Sequence, residues 1–353
     1  MKIRFHTYDL KLTDPFTISR GTVTVQPTLI LEIEHEGVVG FGEATSNAYY
    51  NATLDSMRET IERISPKLCN LSLENPAEIW KELDPELSQC RFAQCALDCA
   101  LWDIYAKLKG QPLWRLWGFH QSDYEEASTS TLSTACPPTC FTIGLDTPEV
   151  MAEKLRAQPN WPVYKIKLDQ SGSIDIIRRL RQETDAVFRV DANCAWQADQ
   201  VLELADQLCE LNVELIEQPL AANQYDAMAD LKGRCAIPLM ADESCQVEAD
   251  VDKCLDSFDA INVKLVKCGG ITPARRMLTR ATQRGLKVMV GCMTESSIGI
   301  AAGAHLLPLL DYADLDGAML LSDDIAEGLT WRNGYCSPPS GTGLGVRLKQ
   351  PPN

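Results

Sequence analysis

The segments VYKIKLD (163–169), VFRVDAN (187–193), VELIEQP (213–219), IPLMADE (237–243) and AINVKL (260–265) decide how this chain folds. Each is a short apolar run closed by a charged residue. Asp191, Glu217 and Asp242 stand 26 and 25 residues apart, the length of one strand plus one helix. FTIGL (141–145), LKVMVGC (286–292) and YADLDG (312–317) continue the series, with helical stretches such as SIDIIRRLRQE, ADQVLELADQLCEL and TPARRMLTRATQRG between strands. Strand ends are expected at 167, 191, 217, 242, 264, 291 and 316. Such a run of β-then-α units predicts an α/β parallel barrel with a modified first or last unit, a doubly wound open sheet being the alternative.

Outside the barrel the periodicity changes. KIRFHTYDL, a turn at Asp14-Pro15, TLILEIEHEG and VVGFGEA alternate as an antiparallel meander. From Thr53 to Gly110 the spacing is helical, as in LDSMRETIERI and FAQCALDCALWDIYAKLKG. Residues 1–125 are therefore read as a small α+β domain, 126–320 as the barrel and 321–353 as a segment returning to the first domain. GTGLGV (341–346) does not read as a dinucleotide loop, because too few residues follow to place a helix under a pyrophosphate.

Composition narrows the partners. At 353 residues, 45% hydrophobic and 23% charged, the chain can bury a large core. A net charge of -16 speaks against a nucleic-acid surface, which needs a concentrated basic face. The start MKIRFHTYDL lacks a signal-type apolar core, and no apolar stretch of roughly 18 residues occurs, so a cytoplasmic protein without a membrane span is expected. The fourteen cysteines show no CxxC pair and read as buried thiols. Cys194 lies near Asp191, but no base stands beside it.

Barrel enzymes carry their chemistry at the carboxyl ends of the strands, where Asp191, Glu217 and Asp242 fall. Three hard oxygen donors suit Mg2+; the alternative is that each caps the following helix. Strand alternation turns Lys165 and Lys167 to one face, where each ammonium disfavours protonation of the other and one lysine becomes available as a base. An exposed edge with two solvated lysines is the alternative. Lys264 ends the strand opposite, so Lys167 and Lys264 would flank whatever the metal holds. Lys267 is placed outside this group.

KIK at 165–167, DAN at 191–193, EQP at 217–219, ADES at 241–244 and NVKLVKCGG at 262–270, with ALDCALWDIYAKLKGQPLWRLWG earlier, resemble the enolase superfamily in its muconate-lactonizing subgroup. The resemblance implies a modified (β/α)7β barrel with a capping domain built from both termini. It implies Mg2+ on Asp191, Glu217 and Asp242, with Asn193 and Glu243 behind them. Lys167 and Lys264 would move a proton at the α-carbon of a metal-bound carboxylate, through an enediolate, with Lys165 charged beside Lys167.

Asp314-x-Asp316 resembles the dipeptide epimerases, where such a pair binds the substrate's ammonium; capping a helix is the alternative for Asp316. Cys292, Met293, Thr294, Ser296 and Ile298 are then pocket-wall candidates. Arg20 in the lid segment PFTISRGT would read an acidic C-terminal residue if it enters the site, or is a surface arginine; Tyr49 and Tyr50 would form the other side of the lid. The expected reaction is epimerisation of a dipeptide of the L-Ala-D/L-Glu type, fitting the recycling of cell-wall peptides. N-acylamino acid racemase or o-succinylbenzoate synthase activity, and a noncatalytic metal- or ligand-binding barrel, are the alternatives. A homo-oligomer is left open.

Overall fold

A computed structural model describes residues 1–124, 136–170, 173–337 and 340–349. The expected boundary at residues 125/126 lies outside the described residues. Strands β1 (Lys2–Ile18), β2 (Gly21–His35) and β3 (Val38–Thr45) form an antiparallel sheet in the order β1-β2-β3. The turn expected at Asp14-Pro15 is instead an irregularity within β1. The register shifts between Lys11 and Phe16, and the hairpin closes where Ile18 pairs with Gly21. A proline has no N–H to give the ladder, so an edge strand with a bulge is where one fits.

Helices α1 (Leu54–Leu68), α2 (Pro76–Leu87) and α3 (Arg91–Leu108) cover this sheet. Every residue of α3 from Phe92 to Asp103 is buried, because the helix is sandwiched between β3 and the barrel. The close approach requires Gly42, where a Cβ would lie 1.9 Å from the Ala96 carbonyl oxygen. A short helix, α4 (Leu113–Leu116), follows.

Eight parallel strands then run in sequential order: β4 (Phe141–Ile143), β5 (Val163–Lys167), β6 (Val187–Asp191), β7 (Val213–Glu217), β8 (Leu239–Ala241), β9 (Ala260–Lys264), β10 (Lys287–Gly291) and β11 (Tyr312–Asp314). A Thr139–Ala313 bridge and the Cys140 N–H donating to the Ala313 carbonyl at 3.2 Å draw the β11 and β4 edges together. Sequential order and this seam make a barrel, not a doubly wound sheet. The outer helices are α5 (Pro148–Ala157), α6 (Ser173–Arg181), α7 (Ala198–Glu210), α8 (Tyr225–Leu231), α9 (Val251–Cys254), α10 (Leu265–Cys268), α11 (Ile271–Gln283) and α12 (Ser297–Ala304). A single 3-10 turn, Gly317–Leu320, follows β11, so the architecture is (β/α)7β.

Two strand ends differ from expectation. Asp242 is the first residue past β8, and β11 stops at Asp314 rather than 316. The Leu315 N–H leaves the ladder to donate to Thr139 Oγ1 at 2.6 Å.

The tail adds β12 (Ala326–Glu327) paired with β15 (Arg347–Leu348), and the hairpin β13 (Thr330–Arg332) with β14 (Tyr335–Ser337). It grips both units. Leu344 N–H donates to Asp103 Oδ1 of α3 at 2.8 Å, and Gly334 accepts from the Thr139 N–H at 2.8 Å. Gly343, at φ +69°, sits where a Cβ would be 2.0 Å from the Asp103 carboxylate, which accounts for a glycine in GTGLGV. All fourteen cysteines are free thiols. Among the described residues no helix is long and apolar enough to cross a membrane.

Candidate active site

Each acidic strand end is held by one oxygen and presents the other. Asp191 Oδ1 accepts from the Asn193 N–H at 2.9 Å, Glu217 Oε1 from Asn262 Nδ2 at 2.9 Å, and Asp242 Oδ1 from Lys267 Nζ at 2.5 Å. The chain permits the first contact by turning sharply after β6, with Asn193 at φ 44° and Cys194 at φ 68°; asparagine tolerates this left-handed region better than most residues. All three carboxylates are buried, and their donor atoms lie within 4.8 Å of one another.

So much buried negative charge needs a counter-charge. Burial pushes the Glu217 carboxyl up to about 7 despite Lys165 nearby. Its Oε2 lies 2.8 Å from Lys165 Nζ, yet off the direction of a hydrogen bond, and so stays a buried oxygen without one. Burial would also raise Asp191 and Asp242, but lysines hold both below the usual carboxylate range: Lys167 and Lys165 for the first, Lys264 and Lys267 for the second. Three fixed carboxylates with one oxygen each turned inward are a fitting donor set for a small divalent cation that prefers oxygen.

Lys165 and Lys167 share the inner face of β5, while Tyr164 and Ile166 point outward into the core. Lys165 Nζ lies 3.1 Å from Asp191 Oδ2, 2.8 Å from Glu217 Oε2 and 2.8 Å from Asp314 Oδ2. Burial alone would depress its pKa, but these carboxylates hold it well above the ordinary lysine value. Lys167 Nζ donates to Asp191 Oδ2 at 2.6 Å, and Lys264 Nζ to Asp242 Oδ2 at 2.8 Å. With three strands separating β5 from β9, these two ammonium groups stand on opposite walls of one cavity of about 150 Å³.

Asp314, Asp316, Arg20, Asn193, Asp242, Glu243, Cys292, Met293, Thr294 and Tyr50 also line this cavity. Asp316 Oδ2 accepts from the Thr142 N–H at 2.6 Å; burial and the neighbouring Asp314 push its carboxyl up to about 7. Arg20 reaches the site from the β1–β2 hairpin. Its Nη2 lies 2.8 Å from Glu243 Oε1, and Nη1 donates to the Asn193 carbonyl at 3.0 Å. Its guanidinium stacks 4.5 Å from the Tyr49 ring centre.

Two expected wall residues lie elsewhere. Ser296 caps α12 and donates through its N–H and hydroxyl to Glu43, and Ile298 is buried in the core. Ser296 is the N-cap of α12 and Ile298 lies in its first turn, which faces β3 rather than the cavity. Lys267 lies outside the cavity, yet touches Asp242 directly and is pinned by the carbonyls of Asp242, Cys245 and Asn262. Burial raises the Cys194 thiol above the ordinary cysteine range, with the Glu243 carboxylate adding to the shift.

Residues 149–351 match the enolase C-terminal domain-like family, and residues 2–118 match the mandelate racemase / muconate lactonizing enzyme N-terminal domain. The chain belongs to this family. An L-Ala-D/L-amino acid epimerase of Flavobacterium johnsoniae is 44% identical over 348 residues, spanning 99% of this chain and 100% of that one. An L-Ala-D/L-Glu epimerase of Bacteroides thetaiotaomicron is 35% identical over 350 residues, 98% of this chain and 88% of the other. The solved dipeptide epimerase of Methylococcus capsulatus, complexed with Mg and the dipeptide L-Arg-D-Lys, has a TM-score of 0.89 at 31% identity and 98% coverage of both chains.

In this member of the muconate lactonizing enzyme family, sequence reading missed four residues at the site. Asn262, two before Lys264, was legible from strand alternation; Gly291 leaves room for it, since a Cβ there would meet its amide at 2.5 Å. Gln218 Oε1 accepts from the Asp242 and Ser244 N–H groups at 2.9 and 3.0 Å, tying the β7 and β8 ends together. The Cys140 thiol donates to Asp314 Oδ1 at 3.0 Å. Thr142 lines the cavity and holds Asp316. Thr142 sits on β4, the shortest signal in the series, and Cys140 just before it; no motif marks them.

Proposed function

We propose that this chain is a magnesium-dependent dipeptide epimerase that inverts the α-carbon of the C-terminal residue. The observation that carries the proposal is the placing of Lys167 and Lys264 on opposite walls of one cavity beside the three carboxylates. Asp191, Glu217 and Asp242 would hold the cation. When bound, it would draw the substrate carboxylate into the site and offset the charge that develops as the α-proton leaves. One lysine takes that proton and the other delivers a proton to the opposite face, so the configuration inverts. Lys165, held charged by its carboxylates, keeps a positive field beside the reacting centre.

Asp314 and Asp316 supply the substrate end of the proposal. Two buried carboxylates bordering the cavity favour the free ammonium of a dipeptide and repel an N-succinyl group, which disfavours the N-acylamino acid racemase and o-succinylbenzoate synthase readings. Arg20 is where a glutamate side chain would be read, but Glu243 already meets its charge. L-Ala-L-Glu therefore falls within a range of C-terminal residues rather than defining it. This agrees with the names of the relatives, which include both L-Ala-D/L-amino acid and L-Ala-D/L-Glu epimerases.

Incubation with Mg2+ and a library of L-Ala-L-Xaa dipeptides, followed by chiral chromatography, should yield L-Ala-D-Xaa products. No D-epimer from any library member would refute the proposal.

A further inference from the structure

A second cavity of about 130 Å³ adjoins the first, and Phe16, Thr142 and Leu320 form the wall common to both. It is built by the irregularity in β1. Leu12, Asp14 and Pro15 leave the regular ladder there and wall one side; Phe141 and Met319 wall the other. The rim is fastened on two sides: the Ser322 N–H donates to the Lys11 carbonyl at 2.9 Å, and the Leu145 N–H to the Thr17 carbonyl at 2.8 Å. Gly144 allows the Phe16 ring to approach, since a Cβ there would already lie 3.2 Å from it. The lysine at the rim, Lys154, is occupied by Asp146 at 3.2 Å. The lining is thus mainly apolar: of its two charged residues, Lys154 is paired with Asp146 and Asp14 is exposed at the rim.

Its position relative to the aspartate pair gives it an occupant. The Thr142 N–H fixes Asp316 at 2.6 Å, while Thr142 also faces the second cavity. A substrate whose ammonium sits on Asp314 and Asp316 has its N-terminal α-carbon one bond away, beside this shared wall. We infer that the second cavity is the subsite for the side chain of the N-terminal residue, and that the substrate class includes dipeptides with a bulky, uncharged, apolar residue there. The inference rests on the epimerase reading. It adds that the N-terminal position is not confined to alanine, because burying an apolar side chain in an apolar cavity is favourable and no polar group is stranded.

The test is the ratio of kcat/KM for L-Leu-L-Xaa to that for L-Ala-L-Xaa, with Xaa the C-terminal residue turned over best. In the parent enzyme the ratio is expected to lie within about tenfold of unity. Leu320→Ala, which opens the shared wall, should raise it severalfold. Ala157→Trp, which narrows the second cavity from its α5 side, should lower it at least tenfold. Because each variant is read as a ratio on one preparation, partial misfolding does not alter the reading. A ratio unchanged within twofold in both variants overturns the subsite. If the parent epimerises L-Ala dipeptides and rejects L-Leu dipeptides by a hundredfold or more, the subsite fails while the epimerase reading stands; if it epimerises neither, both fail.

Discussion

Lys165 Nζ lies 2.8 Å from Asp314 Oδ2, so the ammonium that neutralises the carboxylates proposed to hold the metal also neutralises the carboxylate proposed to meet the substrate's amine. The two halves of the site are electrostatically joined through one side chain that is 1% exposed. Replacing Lys165 by Met should leave Asp191, Glu217 and Asp314 short of a partner and cost about 3 kcal/mol of stability, the usual scale for breaking a buried ion pair. Urea denaturation without metal measures it, and adding Mg2+ should recover part of the loss. Unchanged stability would show that Lys165 does not balance these carboxylates.

Glu217 makes the opposite prediction. Its carboxyl is pushed up to about 7 in the folded protein, above its unfolded value. The sign follows: the folded state binds the proton more tightly, so ionising Glu217 costs stability progressively as pH rises towards 7, and the full cost remains above it. Glu217→Gln at pH 8 should therefore equal or exceed the parent in metal-free stability. The same variant should lose the stabilisation by Mg2+, about 2.7 kcal/mol at a hundred times Kd. Thermal scans with and without Mg2+ decide; a Gln variant still stabilised by Mg2+ would remove Glu217 from the metal site.

Asp316 predicts a pH profile. Burial and Asp314 push its carboxyl up to about 7, and only the ionised form attracts an ammonium. KM for a dipeptide should fall as pH rises through about 7 and rise again above about 8, where the substrate's own ammonium loses its proton. Asp316→Asn should raise KM and flatten this profile. A profile of the same shape in the variant would assign the titration to another group.

Arg20 bears on specificity. Because Glu243 already meets its charge at 2.8 Å, Arg20→Ala should change kcat/KM for L-Ala-L-Glu and L-Ala-L-Leu by similar factors. A loss tenfold larger for L-Ala-L-Glu would mean that Arg20 leaves Glu243 to bind the substrate's carboxylate.

Strand ends were readable because a parallel barrel repeats one spacing, and because a charged residue closing an apolar run is costly unless it faces a site. Asp191, Glu217, Lys167 and Lys264 all end strands at the expected positions. Contacts distant in sequence carried no such signal. Cys140 meets Asp314 across 174 residues, and Glu43 reaches Ser296 across 253. Asp14-Pro15 was misread because the same dipeptide suits a turn and a bulge; pairing on either side, set by β2, makes it the latter. Ser296 and Ile298 join the expected wall only through the resemblance of the segment after Cys292 to the dipeptide epimerases, and the start of α12 turns both away from the cavity.

The proposed mechanism has Lys167 and Lys264 work from opposite faces of one α-carbon. It is tested by incubating Lys167→Ala and Lys264→Ala with Mg2+ in D2O, supplying each epimer of one dipeptide separately, and following α-hydrogen exchange by NMR. Neither variant should epimerise, and each should exchange the α-hydrogen of a single epimer, a different one in the two variants. Continued epimerisation by either variant, or exchange of the same epimer by both, would contradict the account.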